Sequence, residues 1–218
     1  MAGHLGHETV LIDPTPGPEA IAAGIVAAAR ALACDLVLYV DVGGDVLAQG
    51  DEQGLGSPLC DAVMLASACH AAAQIDGIAA VIGPGCDGEL TAAEVLERLA
   101  VLAAAGAWLG SASVGPAVAE ELERAARVVP TEASLQVARC ARGERGEVPI
   151  RGGRRSVELS PIGALMFFFD PEAAVSNGAP LARAVLDARD LDTAHRTLAA
   201  MGVRTELDFE REQTSTGD

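Results

Sequence analysis

The fold is decided by Leu36-Val37-Leu38-Tyr39-Val40 and the run after it, Asp41-Val42-Gly43-Gly44-Asp45-Val46-Leu47-Ala48-Gln49-Gly50-Asp51-Glu52-Gln53-Gly54-Leu55-Gly56-Ser57-Pro58-Leu59-Cys60-Asp61. The apolar run Leu36 to Val40 has the length of a buried strand. Asp41 to Asp61 then crowds five acidic side chains among five glycines. Glycine permits positive φ and close backbone approach, while Asp and Glu surround cations or protons in transit. A strand that ends in such a loop points to chemistry without naming a reaction.

Working outward, Ser57-Pro58 reads as an N-cap followed by a first-turn proline, with an apolar helix from Leu59 to Ala73. The same order then returns. Gly77 to Ile82 is a second apolar run of strand length, ending in Gly83-Pro84-Gly85-Cys86-Asp87-Gly88-Glu89. Thr91 and Glu94 stand at capping-box spacing and open a helix to about Ala105. Upstream, Asp13 to Pro18 is a stiff turn before a helix over Glu19–Ala33. Downstream come a short strand near Ala107–Gly110, helices over Pro116–Arg127 and from Thr131 to about Ala141, and two closing helices, Leu181–Ala188 and Asp192–Met201. Strands alternating with helices predict an α/β fold, a parallel sheet with helices packed on its faces. A single domain over residues 1–218 is expected, with 1–12 and 211–218 flexible and 142–160 a hairpin excursion that pairs Val148–Ile150 with Ser156–Leu159.

Composition narrows the function classes. The chain has 218 residues, half of them hydrophobic, with mean hydropathy +0.29, which excludes disorder. Its apolar windows are Ala-rich and shorter than the roughly 20 residues that span a bilayer, and no basic region precedes an apolar segment at the start. A cytoplasmic protein is expected. Five cysteines without a Cys-x-x-Cys pair predict reduced thiols rather than a disulfide framework or a zinc ribbon. The net charge of −16 argues against nucleic acid and anionic membranes as partners. With no lysine in the chain, Schiff-base chemistry and a Walker-type phosphate lysine are excluded.

In a parallel sheet, ligands bind beyond the carboxyl ends of the strands, where both Gly/Asp loops emerge. Asp41, Asp45 and Asp61 are the candidate catalytic residues, and Asp45 and Asp51 the candidate metal ligands, with Mg2+ the candidate cofactor. Gly43, Gly44, Asp51, Glu52, Ser57, Gly85, Asp87 and Glu89 are the candidate ligand-binding residues. Against this stands the plainer role of such side chains in tying turns and capping helices. Neither Gly43-Gly44 nor Gly83-Pro84-Gly85 matches a dinucleotide or Walker motif. The arginines from Arg139 to Arg155 read first as a solvated hairpin, and otherwise as a segment that binds an anion or folds against the acidic loops. Cys60 falls near a helix N-terminus, which lowers a thiol pKa, but has no evident base. His70 and Phe167-Phe168-Phe169 read as packed residues.

The motif from Val40 to Asp61, with Gly83-Pro84-Gly85-Cys86-Asp87-Gly88-Glu89-Leu90 and with Ser160-Pro161 ahead of Phe167-Phe168-Phe169-Asp170, resembles the DUF1152 family over about Val10 to Phe209. The resemblance implies a Rossmann-like α/β fold, here a three-layer sandwich with a mostly parallel sheet. It carries no established catalytic residue. Longer members begin with a strand and a glycine-rich, Asp-containing loop, and nothing similar precedes Asp13 here. The expectation is a small-molecule enzyme, a homo-oligomer, acting on a polar or phosphorylated metabolite in an acidic crevice. The alternative is a non-catalytic binding or assembly subunit that pairs through an exposed sheet edge.

Overall fold

The computed structural model describes residues 2–215. The chain is α/β. Its elements are α1 (Ala2–Leu5), α2 (Pro18–Ala31), β1 (Leu36–Val42), α3 (Pro58–Ala71), β2 (Asp76–Ile82), α4 (Ala92–Ala104), β3 (Trp108–Ser113), α5 (Pro116–Val128), α6 (Glu132–Ala141), β4 (Gly146–Ile150), β5 (Arg155–Leu159), β6 (Leu165–Phe169), α7 (Pro171–Asn177), α8 (Pro180–Val185), α9 (Leu191–Ala200) and α10 (Glu206–Ser215). Short 3-10 turns follow β1 at Asp45–Leu47 and precede β6 at Pro161–Ala164. Helix α1 and helix α10 lie where flexible ends were expected, and His4 Nε2 is 2.9 Å from the Glu121 carboxylate. Residues 216–218, also expected to be flexible, lie outside the described residues.

Among the described residues the main sheet has the order β1-β2-β6-β3. Strand β1 pairs with β2 in parallel, Leu36 opposite Asp76 and Val42 opposite Ile82, but β6 is antiparallel to both β2 and β3. The sheet is mixed, which corrects the expectation of a mostly parallel one. The reason lies between β3 and β6. Helices α5 and α6 and the β4–β5 hairpin replace the single crossover helix that a parallel return needs, so the chain re-enters the sheet from the carboxyl ends of its neighbours. Strands β1, β2 and β3 therefore share one direction, with the reversed β6 wedged in the middle. The β4–β5 pair forms as the sequence suggested, Val148 opposite Val157.

Side chains alternate across the sheet, so residues two apart on a strand share a face. Val37 and Tyr39 of β1, Ala79 and Val81 of β2, and Phe167 and Phe169 of β6 face the main core with Leu59, Val63 and Leu65 of α3. On the opposite face, the buried cluster among the described residues lies towards the carboxyl ends of β1 and β2, where Val42, Ile82 and Met166 meet Ala119 of α5, Val137 and Cys140 of α6, and Val157 of the hairpin. Towards its other end, Leu36, Leu38 and Val40 stay 47%, 45% and 45% exposed. No helix among the described residues is long and apolar enough to cross a membrane.

Candidate functional site

The loops after β1 and β2 are fastened to each other before any side chain is considered. Gly43 N–H donates to the Ile82 carbonyl at 3.0 Å, and Gly85 N–H to the Gly43 carbonyl at 2.8 Å. Gly43 has φ +120°, and a β-carbon there would lie 2.2 Å from the Asp87 carboxyl carbon. Glycine is required at Gly43 by both conformation and space. The room it leaves is taken by Asp87, not open to an anion. Gly44 is likewise filled in by Val95, and Gly85 by the backbone of Thr91 and Ala92.

Into this junction the fold brings carboxylates from three places. Asp41 comes from the end of β1, Asp45 from the 3-10 turn, and Asp61 from the first turn of α3. Each offers an oxygen within 4.8 Å of the others. Asp45, Asp87 and Glu89 form a second such group, so Asp45 belongs to both. Asp45, Asp87 and Glu89 are only 6%, 5% and 3% exposed. One oxygen of Asp41 and one of Asp87 are buried without a hydrogen-bond partner.

Burial, and then the neighbouring acids, set the proton affinities. Burial raises Asp41 well above the ordinary carboxylate range, with the charges of Asp61 and Asp87 adding to it. Asp45 is raised by burial and by Asp61, Asp41, Asp87 and Glu89 around it. Asp61 is pushed up to about 6 by burial and Glu206, and Asp87 to about 7 by burial and Glu89. Glu89 differs. Burial alone would raise it, but hydrogen bonds from the Ser57 hydroxyl (2.6 Å) and from the N–H groups of Gly56 (2.7 Å) and Ser57 (2.9 Å), together with Arg155, hold it below its usual value. Arg155 approaches Glu89 to 2.9 Å and Arg151 to 3.4 Å. With its oxygens so engaged, Glu89 clamps the loops and the hairpin together and has little left for a cation. Asp41, Asp45 and Asp61, with Asp87 joined to them through Asp45, remain as a tetrad of hard oxygen donors, offset only in part by the Asp45 hydrogen bonds to Asp41 and Asp61 and by the Arg155 charge near Asp87, a set that suits Mg2+, Mn2+ or Ca2+.

The sequence profile of a family described as "Protein of unknown function (DUF1152)" matches residues 1–214. The chain belongs to the DUF1152 family. No curated protein and no solved structure matches it.

Not all the acids of the DUF1152 motif enter the tetrad. Asp51 is exposed and belongs to neither carboxylate group among the described residues. Glu52 turns inward instead, accepting N–H bonds from Gln49 and Gly50 and pairing with Arg98 at 3.4 Å, so it closes its own loop. Ser57 serves Glu89 and makes no side-chain cap on α3. That helix start is served by Glu206 of α10, which accepts from Leu59 N–H at 3.1 Å and Cys60 N–H at 2.8 Å. Glu206 also overturns the expectation for Cys60, whose thiol is pushed up to about 12 by burial and by that carboxylate. His70 is a packed residue bonded to the Leu186 carbonyl at 2.8 Å.

Arg151 and Arg155 of this DUF1152 chain reach Glu89, the second of the two readings that the sequence allowed for the arginine segment. One contributor escaped the sequence reading. Tyr39 was legible in principle, since it stands two residues before Asp41 and therefore on the same strand face. It lines a cleft with Asp41 and Asp61, and its hydroxyl is buried without a partner.

Proposed function

We propose that the protein is a small-molecule-metabolising enzyme whose reaction takes place at the Asp41, Asp45, Asp61 and Asp87 tetrad, with a divalent cation, Mg2+ foremost, as cofactor. The observation that carries this reading is the convergence of these buried carboxyls where β1 and β2 end, with no basic partner among the described residues beyond the arginines already held by Glu89. Buried like charges are costly, and a cation turns that cost into affinity. When bound, such an ion polarises an oxygen of the substrate or lowers the pKa of a water. Without a cation, burial and the neighbouring acids push Asp61 up to about 6 and Asp87 to about 7, and a bound cation would draw both to the ionised form in which they serve as its ligands. A polar or phosphorylated metabolite fits this chemistry, the phosphate reaching the acids through the cation. The co-directional strands β1 and β2, with the two acidic loops at their carboxyl ends, are what favours a Rossmann-like description of the fold.

Calorimetric titration tests the reading. Mg2+ or Mn2+ should bind with measurable heat, and Asp45→Asn should weaken that binding at least tenfold. Absence of heat with both ions, together with unchanged ligand affinities in Asp45→Ala, would overturn it. A second reading, a non-catalytic subunit that pairs with another copy through the sheet edge, is favoured by one observation, the exposed Leu36, Leu38 and Val40 on edge strand β1.

A further inference from the structure

The carboxylates at the junction of the two loops do not form one ring. Asp41, Asp45 and Asp61 each offer an oxygen within 4.8 Å of the others, and so do Asp45, Asp87 and Glu89, with only Asp45 common to both groups. Each group also holds one oxygen that is buried without a hydrogen-bond partner, Oδ2 of Asp41 in the first and Oδ1 of Asp87 in the second. Asp87 is only 5% exposed, so water does not supply the missing contact from outside. An oxygen left in this state costs free energy unless a donor or a cation meets it. Placed in different groups, the two oxygens call for a partner each.

Size and charge agree with two ions. Three oxygens within 4.8 Å of one another all lie at most about 2.8 Å from a common point, so side-chain shifts of under about 1 Å bring them to the lengths of Mg2+–oxygen or Ca2+–oxygen bonds. When ionised, Asp41, Asp45, Asp61 and Asp87 carry four negative charges, whereas the Glu89 charge is matched by Arg155 at 2.9 Å. One divalent cation would leave half of the tetrad's charge buried and unmatched, and two cancel it. We propose that the junction is a two-cation centre in which Asp45 is the shared ligand, one divalent ion being held by Asp41, Asp45 and Asp61 and a second by Asp45 and Asp87. Glu89 stays with Arg155 and Arg151. The assignment rests on the tetrad being a cation site at all. A shared carboxylate sets two ions about 3.5–4 Å apart, the spacing at which both act on one displacement reaction. The second position has two protein carboxylates where the first has three, which leaves it more places for water and for a substrate oxygen. Gly88 and Glu89, next to Asp87 in the chain, line a groove of about 740 Å3, the entry route for that oxygen.

Mn2+ alone is the probe, titrated into the full chain and followed by calorimetry and by electron paramagnetic resonance of frozen samples. Two Mn2+ per chain are expected. As the second binds, the spectrum of an isolated ion should give way to that of an exchange-coupled pair, with about half the hyperfine spacing. Asp61→Asn, which touches the first position only, should weaken that position at least tenfold and replace the coupled spectrum by that of one isolated ion. Asp45→Asn should remove the coupling and weaken both positions, and its melting transition verifies that it is folded. A wild-type chain that binds one Mn2+ and shows no coupled spectrum would overturn the two-cation centre while leaving the tetrad a single-cation site. A chain that binds none overturns both. Two uncoupled ions that survive Asp45→Asn would place the second elsewhere and overturn the shared ligand.

Discussion

Carboxyl groups packed as closely as Asp41, Asp45, Asp61 and Asp87 repel one another unless a proton or a cation stands between them. Asp61 and Asp87 bind their protons more tightly in the folded chain than in the unfolded one, with folded values near 6 and 7 against an ordinary 3.8. Their protonated forms favour the fold, and that advantage is lost as pH rises from about 4 through about 7. The cation-free protein is therefore expected to melt at a lower temperature at pH 8 than at pH 5.5, and Mg2+ should narrow the gap. Asp87→Asn should stabilise the cation-free protein at pH 8 by about 1–3 kcal/mol and at the same time lose the Mg2+-induced shift. Thermal melts with EDTA and with Mg2+ measure both. A variant that is less stable at pH 8 and keeps its Mg2+ response would assign Asp87 a structural role. At this scale the sequence was readable for Asp41 and Asp45, whose types and strand-end position declared them. Asp51 and Glu52 carried the same local signal yet went to the surface and to a loop closure, because burial is fixed by packing that composition does not encode.

Helix α3 shows how elements acquire their ends. Its apolar run, first-turn proline and preceding serine placed the helix within a residue or two, but the cap is supplied by Glu206, 146 residues from Cys60 in the chain. The Ser57 hydroxyl was drawn to Glu89 instead. Removing Glu206 has two opposed effects, loss of an acceptor at the helix start and relief of repulsion on Asp61. At pH 5, where Asp61 holds its proton, Glu206→Ala should cost about 1–2 kcal/mol in urea denaturation. At pH 8 the penalty should shrink or change sign. An equal cost at both pH values would mean that Glu206 and Asp61 do not interact. Helix α4, by contrast, was fully legible. Thr91 and Glu94 form their reciprocal capping box as the spacing suggested, because both partners lie within one turn.

For the molecule as a whole, the α/β class followed from the alternation of segments, while the direction of β6 did not. Phe167-Phe168-Phe169 announces burial, but an apolar run carries no arrow. The β1 face exposing Leu36, Leu38 and Val40 is the feature most open to assembly. If copies pair there, light scattering should give a dimer that persists at high salt, since the contact is apolar although each chain carries a charge of −16. Leu38→Glu with Val40→Glu should return it to a monomer without altering the melting of the cation site. A wild-type chain that is monomeric at every concentration would remove the assembly reading.

The reversed strand also dictates an order of events during synthesis. Strands β1 and β2 can pair once Ile82 has been made, but β3 reaches the sheet only through β6 and has no neighbour until Leu165–Phe169 leaves the ribosome. Until then Trp108 to Ser113 is an unclaimed strand with open backbone groups, while both acidic loops have already been translated. A chaperone that shields a nascent chain would find its most vulnerable interval between those two moments.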